Sequence, residues 1–391
     1  MTGEGKPLTG PRILILMSRA GGGHRSAASA LREALLQLAP EAQVPIVDLF
    51  AHLPFPLSQL GGLYEPVVQH SQGLWQLVWD LTKNPGRSAR LIKVITPLIT
   101  PTLRELLRSR RPDVVVSVYP LCVHALAQAR RDLPLSIPQI TVITDLVNIH
   151  PTWVCPEVDL CVVPTEPARQ QVLRYGVPAE RVRLLGLPVR PQFSACQQQK
   201  EALRAQLDLR QGLWTLLLMG GAEGVGPLFE MTCALDEADL PLQLLVVTGH
   251  NRRLRREMSA VSWEKDIHVL GFVEQVWEFM GASDLLLTKA GPQTICEGLN
   301  AGLPVLIIGA LPGQEEGNAN YVVSHGAGLL IPSPQALAAT LDELLVSDRR
   351  RMEEMRARVQ ELARPRAALD VAQLILEQAG FQTSEVFGRY R

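Results

Sequence analysis

The stretch from Ser283 to Tyr321, SDLLLTKAGPQTICEGLNAGLPVLIIGALPGQEEGNANY, constrains this chain most. The apolar run Leu285 to Leu287 has the length and composition of a buried parallel strand. Lys289-Ala290-Gly291-Pro292 is a turn, with proline at the first helical position, where its missing N–H costs least. The pattern predicts a helix that ends at Gly302, with Pro304 just beyond as a stop signal. A second apolar run, Val305 to Ile308, leads into the Gly-rich loop Leu311 to Asn318. Two parallel strands joined by a helix belong to an open α/β sheet. Such sheets bind ligands at the carboxyl ends of their strands.

The polar residues at those ends suit a nucleotide diphosphate. The helix N-terminus offers unpaired amides and partial positive charge around Gly291 to Thr294, with Pro292 as its first residue. Glu297, placed in the first helical turn, is positioned to accept hydrogen bonds from ribose hydroxyls. The loop Gly313-Gln314-Glu315-Glu316-Gly317-Asn318 offers an amide and carboxylates, groups that read sugar hydroxyls. The bland alternative is an ordinary strand–helix–strand unit with a glycine turn. The order and spacing AGPxT, helical glutamate, PGQExGN weigh against it.

Length and charge narrow the class. The 391 residues suffice for two domains. A net charge of -1 is unlike a nucleic-acid-binding chain. No apolar run approaches membrane-spanning length, and residues 1–10 lack the apolar core of a secretory signal. Six cysteines without a CxxC pair read as small buried hydrophobes in a reducing compartment.

Nearer the start, Ile13 to Met17 is a continuous apolar run that predicts a central parallel strand. Ser18 to His24 forms a glycine turn, and Arg25 to Leu38 reads as a helix. Glycines there, Gly23 among them, permit close backbone approach to a ligand. His24 would open that helix, where the local positive field disfavours an imidazolium. That suits a neutral imidazole acting as general base, though a lone histidine is more often structural. From Lys83 to Arg111, basic residues alternate with Leu91, Ile92, Val94, Ile95, Leu98 and Ile99, and Trp75 and Trp79 lie one turn apart. Such a mixture fits a segment lying on an anionic membrane surface, or else a solvated basic face. Pro97 and Pro101 argue against one uninterrupted helix.

The second half repeats the first. Trp214 to Met219 predicts a strand, followed by the glycine turn Gly220 to Gly226, which contains Gly221, Glu223 and Gly224 and has phosphate-cradling geometry. The organisation expected is an acceptor and membrane-binding domain over residues 12–195, a sugar-nucleotide domain over 200–365, and a tail over 366–391. Two α/β halves facing a cleft, with an aromatic and basic flank, favour a sugar-nucleotide transferase with a membrane-borne acceptor.

These residues carry a family resemblance. ILILMSRAGGGHR, VITDLxxxHPTW, LLGLPVRPQF, LLLMGGAEGVGP, TKAGPQTICEGLNAGLPVLI and PGQEEGNANYVV together resemble the monogalactosyldiacylglycerol synthases, over about Arg12 to Ala367. That group also holds the lipid II-forming peptidoglycan glycosyltransferase and the processive diacylglycerol glucosyltransferases. The resemblance implies a GT-B fold, two Rossmann-like domains facing a central cleft. It implies inverting transfer of a hexose, expected to be galactose, from a UDP-hexose to diacylglycerol. No cofactor and no metal are expected. His24 matches the base, and Glu297 the ribose-binding acid. Gln314 and Glu315 match donor-sugar contacts, with Asn318 in the same loop. Trp153 matches an aromatic of lipid or acceptor engagement, with Asp145 and His150 in the same motif.

The chain departs from the family pattern at Ala222 and Gln293, where glycine is usual, which bears on the donor sugar. The absence of a plastid leader before Arg12 suggests a bacterial protein, peripheral on the cytoplasmic face of a membrane. Rival readings are a diacylglycerol glucosyltransferase, N-acetylglucosamine transfer to a polyprenyl-linked acceptor, a UDP-sugar epimerase and a non-catalytic sugar-nucleotide sensor.

Overall fold

Two six-stranded sheets, every pairing parallel, make up the frame. The computed structural model describes residues 10–19, 22–59 and 72–381. The first sheet runs β2-β1-β3-β4-β5-β6. Its strands are β1 Ile13–Met17, β2 Ile46–Asp48, β3 Val114–Ser117, β4 Gln139–Val142, β5 Leu160–Val163 and β6 Val182–Leu184. The second runs β12-β11-β10-β7-β8-β9. Its strands are β7 Trp214–Met219, β8 Leu242–Val247, β9 Ile267–Leu270, β10 Leu285–Lys289, β11 Val305–Gly309 and β12 Gly328–Leu330. Helices cover both faces, so the central strands are apolar throughout rather than alternating; all of β1 is buried. Strand order reverses between β1 and β3 in one sheet and between β7 and β10 in the other. Crevices open at such switch points.

The helices that matter for the site are α1 Gly22–Leu38, α2 Gln72–Thr82, α3 Pro85–Arg110, α4 Val123–Arg131, α5 Lys200–Gln206, α6 Pro292–Asn300, α7 Glu316–Ser324, α8 Arg349–Leu362 and α9 Ala367–Gln378. α1 starts at Gly22 instead of Arg25, so Gly23 and His24 belong to its first turn and not to the preceding loop. Ala20, Gly21 and residues 60–71 of the flank, which the sequence assigned to the glycine turn and the acceptor region, lie outside the described residues.

α3 overturns the expectation drawn from its prolines. It runs unbroken through Pro97 and Pro101. Each proline removes one intrahelical donor, yet Ile99, Leu103, Leu106 and Leu107 are buried in one cluster with Leu14, Val115 and Leu126. That burial outweighs the local loss. The Thr100 hydroxyl also donates to the Thr96 carbonyl at 2.8 Å.

The chain crosses between the sheets twice. α5 follows the first crossing, and α8 precedes the second. Beyond it, Ala368, Val371, Ala372, Ile375 and Leu376 of α9 are buried with Leu31 and Leu35 of α1 in the core beneath the first sheet. The described part of the expected tail is thus part of the first domain's core.

Candidate active site

A cleft of about 770 Å³ separates the carboxyl ends of the two sheets. Gly23, His24, Asp145, Gly221, Glu223, Gly291, Pro292, Thr294, Glu297, Gln314 and Glu315, eleven of the proposed site residues, line it. Its walls are therefore assembled from residues far apart in the chain.

His24 sits at the start of α1, half-buried in the cleft wall. Its Nδ1 lies 3.1 Å from the Thr144 hydroxyl. Tyr119 meets it edge-on at 5.2 Å, and the Trp153 ring lies 5.9 Å away. Burial disfavours the imidazolium and lowers the pKa to about 4, against the pull of a backbone hydrogen bond at Val118. The ring is therefore neutral at physiological pH and able to accept a proton. His150 is held at about 4 by burial as well. Both depressed values mean deprotonation through the neutral range. In a histidine-ring NMR titration both should stay neutral down to about pH 4, well below the ordinary 6.5. A His24 midpoint near 6.5 would show an open, hydrated site instead.

Asp145 joins the two domains. It is buried and accepts from Trp153 Nε1 at 2.7 Å and, across the cleft, from Gln314 Nε2 at 3.1 Å. Burial raises its carboxyl pKa, while these two donors oppose the rise. Trp153 is only 1% exposed, so it cannot meet a lipid chain directly. It packs beside His24 and holds Asp145, which makes it a positioning residue. His150 also lies outside the cleft wall: its Nε2 is 3.1 Å from the Thr82 hydroxyl and its ring is 5.2 Å from Trp79, so it anchors α2.

The second domain contributes the groups suited to a diphosphate. The β10–β11 register shifts between Thr288 and Lys289, just where the strand ends. α6 then opens with Gly291 as its cap and Pro292 as first residue, so its early amides face the cleft. Glu297 is in the second turn of α6 and not the first. It is buried and accepts from the Ser26 hydroxyl of α1 at 2.8 Å and from Gln293 Nε2 at 3.1 Å. Burial raises its pKa, countered by those two donors and by Arg190. Glu315 pairs with Lys289 at 2.5 Å and accepts the Leu311 N–H at 3.0 Å, which holds the 311–315 loop.

Two expected ligand contacts take other roles. Gly224 does not line the cleft. Its φ is +58°, and a side chain there would run into the Thr248 carbonyl, so glycine is needed to fold the turn. Asn318 is buried on α7, and its Nδ2 donates to the Ala290 carbonyl at 3.0 Å, bracing the turn before α6. In exchange the structure brings in groups not picked out from sequence: Ser26, Arg190, Trp277, Phe272 and Lys289. Lys289 and Arg190 stand inside motifs that were read, TKAGP and LPVRP, so their basic character was the available signal. Ser26, Phe272 and Trp277 gave no local signal. Among the described residues, no group of three or more His, Cys, Asp or Glu side chains could hold a metal ion.

Comparison with known proteins names the family. Residues 24–189 match the model for monogalactosyldiacylglycerol (MGDG) synthase, and residues 215–371 match that for the glycosyltransferase family 28 C-terminal domain. Monogalactosyldiacylglycerol synthase 2 of Arabidopsis thaliana is 34% identical over 93% of this chain and 80% of its own length. This chain belongs to the MGDG synthase family. The spinach MGDG synthase is 35% identical over 94% of this chain and 72% of its own length. Among solved structures, MurG of Acinetobacter baumannii superposes with a TM-score of 0.62 at 17% identity, over 94% of this chain and 100% of its own. MnaA of S. aureus, solved with UDP, reaches 0.63 at 16% identity, over 95% of this chain and 98% of its own. At those identities the likeness concerns the fold, which is of GT-B type. The expectation of a bacterial protein on the cytoplasmic face of a membrane is corrected by these relatives. The similar MGDG synthases are chloroplastic proteins of plants.

Proposed function

We propose that the chain transfers galactose from UDP-galactose to the free hydroxyl of diacylglycerol with inversion at C1. Membership of the MGDG synthase family supports the substrates. The observation that carries the chemistry is the placement of a neutral imidazole, His24, across the cleft from the N-terminus of α6. His24 takes the acceptor hydroxyl proton as the oxygen bonds to C1. The C1–oxygen bond to UDP breaks, and the electron pair leaves with the diphosphate. Amides of Gln293 and Thr294 and in the Gly221 turn stabilise that charge. Glu297 binds the ribose, releasing Ser26 and Gln293 as the hydroxyls arrive. Gln314, held by Asp145, and Glu315, held by Lys289, position the hexose. No metal is required by this scheme.

Diacylglycerol reaches the cleft along α2 and α3. Leu74, Leu77, Val78 and Leu81 of α2 and Val94 and Leu98 of α3 are all exposed large apolar side chains. Lys83, Arg87, Arg90 and Lys93 are exposed among them. Trp79 turns inward from the same helix and packs against Gly313 of the 311–315 loop. A lipid on this face thus lies next to the donor loop. No helix among the described residues is long and apolar enough to cross a membrane. This face is a peripheral docking surface for anionic lipid. Replacing Arg87, Arg90 and Lys93 with glutamine should weaken binding to phosphatidylglycerol vesicles about a hundredfold, at roughly 1 kcal/mol per charge. Binding of the unaltered protein should fall as salt rises. Flotation unaffected by either change would remove this face from the reading.

The deciding assay offers purified protein diacylglycerol in liposomes with UDP-galactose or UDP-glucose. Mass spectrometry and sugar-specific digestion identify the product. A monogalactosyl lipid is expected. A glucosyl lipid alone would overturn the donor, and no glycolipid with either donor would overturn the acceptor.

A further inference from the structure

A second cavity, of about 580 Å³, lies at the opposite end of the second sheet, where β7, β10 and β11 begin. Asp284 is its charged centre, and the residue is 6% exposed. Three cations converge on this carboxylate. Arg204 of α5 is buried and donates to it at 2.6 Å, while Arg204 Nε donates to the Ala282 carbonyl and Nη1 to that of Gln211. Lys200 of α5 contacts the other oxygen. The Arg356 guanidinium of α8 stands 3.5 Å from that same oxygen and lies over the Trp214 ring at 5.9 Å. The Thr215 N–H adds a fourth donor at 2.8 Å.

One carboxylate balances one cation. Arg204 is fully engaged with Asp284 and two carbonyls, so Lys200 and Arg356 are in surplus, and both line the cavity. No other Asp or Glu lines it among the described residues. Desolvation lowers the Lys200 pKa, Asp284 opposes that through its charge and its hydrogen bond, and the Arg204 and Arg356 guanidinium groups add to the lowering. A guanidinium and an ammonium facing one partly enclosed space suit an oxyanion bonded by charge-assisted hydrogen bonds.

We propose that this cavity binds a soluble phosphate-bearing anion between α5 and α8. These two helices flank the two chain crossings, which are already tied by the bond from Gln360 Nε2 to Gln197 Oε1 at 3.1 Å. The anion adds a bridge from Lys200 to Arg356. Its source is solution and not a lipid headgroup, because the apolar face of α2 and α3 lies at the cleft mouth, beyond the other end of the second sheet.

Calorimetry of the full chain tests this, at constant ionic strength, with the cleft first saturated by UDP. The UDP titration reports on the cleft separately. One further equivalent of inorganic phosphate should bind. The double variant Lys200→Met, Arg356→Met keeps the Arg204–Asp284 pair and should weaken phosphate at least thirtyfold, with UDP binding unchanged. Lys200→Gln alone should weaken it at least threefold and decides the matter if the double variant fails to fold. Absence of phosphate binding in the UDP-saturated protein overturns the site, as does equal affinity in the variants. Displacement of phosphate by phosphatidylglycerol vesicles would overturn the soluble source.

Discussion

His24→Ala should lower the turnover of glycolipid synthesis by about 10²- to 10⁴-fold, the range a positioned general base supplies. Binding of UDP should be nearly unchanged, since the groups proposed for the diphosphate and ribose belong to α6 and the Gly221 turn. The measurement is steady-state kinetics beside UDP calorimetry on the same preparation. A loss seen in KM with turnover preserved would make His24 a binding residue. His24→Gln should not rescue: it keeps a hydrogen-bonding side chain but cannot take the proton. Unaltered turnover in both variants would remove the base assignment.

Asp284→Ala should cost about 3–5 kcal/mol of stability, the usual result of stripping a buried ion pair of one partner. Arg204 would be left buried with its charge unmatched, beside Lys200 and Arg356. Urea unfolding followed by circular dichroism should show a lower midpoint with little change in slope, because the surface exposed on unfolding is the same. Arg356→Ala should cost far less, because that side chain is 39% exposed, stands 3.5 Å from the carboxylate, and leaves Arg204 still matching it. Equal losses in the two variants would mean that packing and not charge holds this corner together.

The parts of the molecule read correctly from sequence are those set by local chemistry. The Ser283 to Tyr321 stretch announced its strands and helix because buried parallel strands are continuously apolar and because Pro292 and Gly302 punctuate the helix. His24 and Glu297 line the cleft, though each sits further into its helix than the punctuation implied. The misreadings concern what tertiary packing decides. Pro97 and Pro101 look like helix breakers until the apolar stripe of α3 is seated in the core. Trp153, Gly224 and Asn318 stand in the right motifs, yet their side chains or missing side chains serve the scaffold, which only the neighbouring turns reveal. Lys200, Arg204, Asp284 and Arg356 are spread along the chain and form no motif. Their convergence exists only after the two crossings place α5 and α8 side by side.

The return of α9 to the first domain has a consequence for biosynthesis. The domain translated first is the one finished last. Until residues 367–378 leave the ribosome, the face of α1 carrying Leu31 and Leu35 has no permanent cover, while the whole second domain has already been made and can fold. The second domain is thus an insertion within the first. A nascent chain held before α9 should present an apolar groove to chaperones throughout the synthesis of the catalytic cleft's other wall.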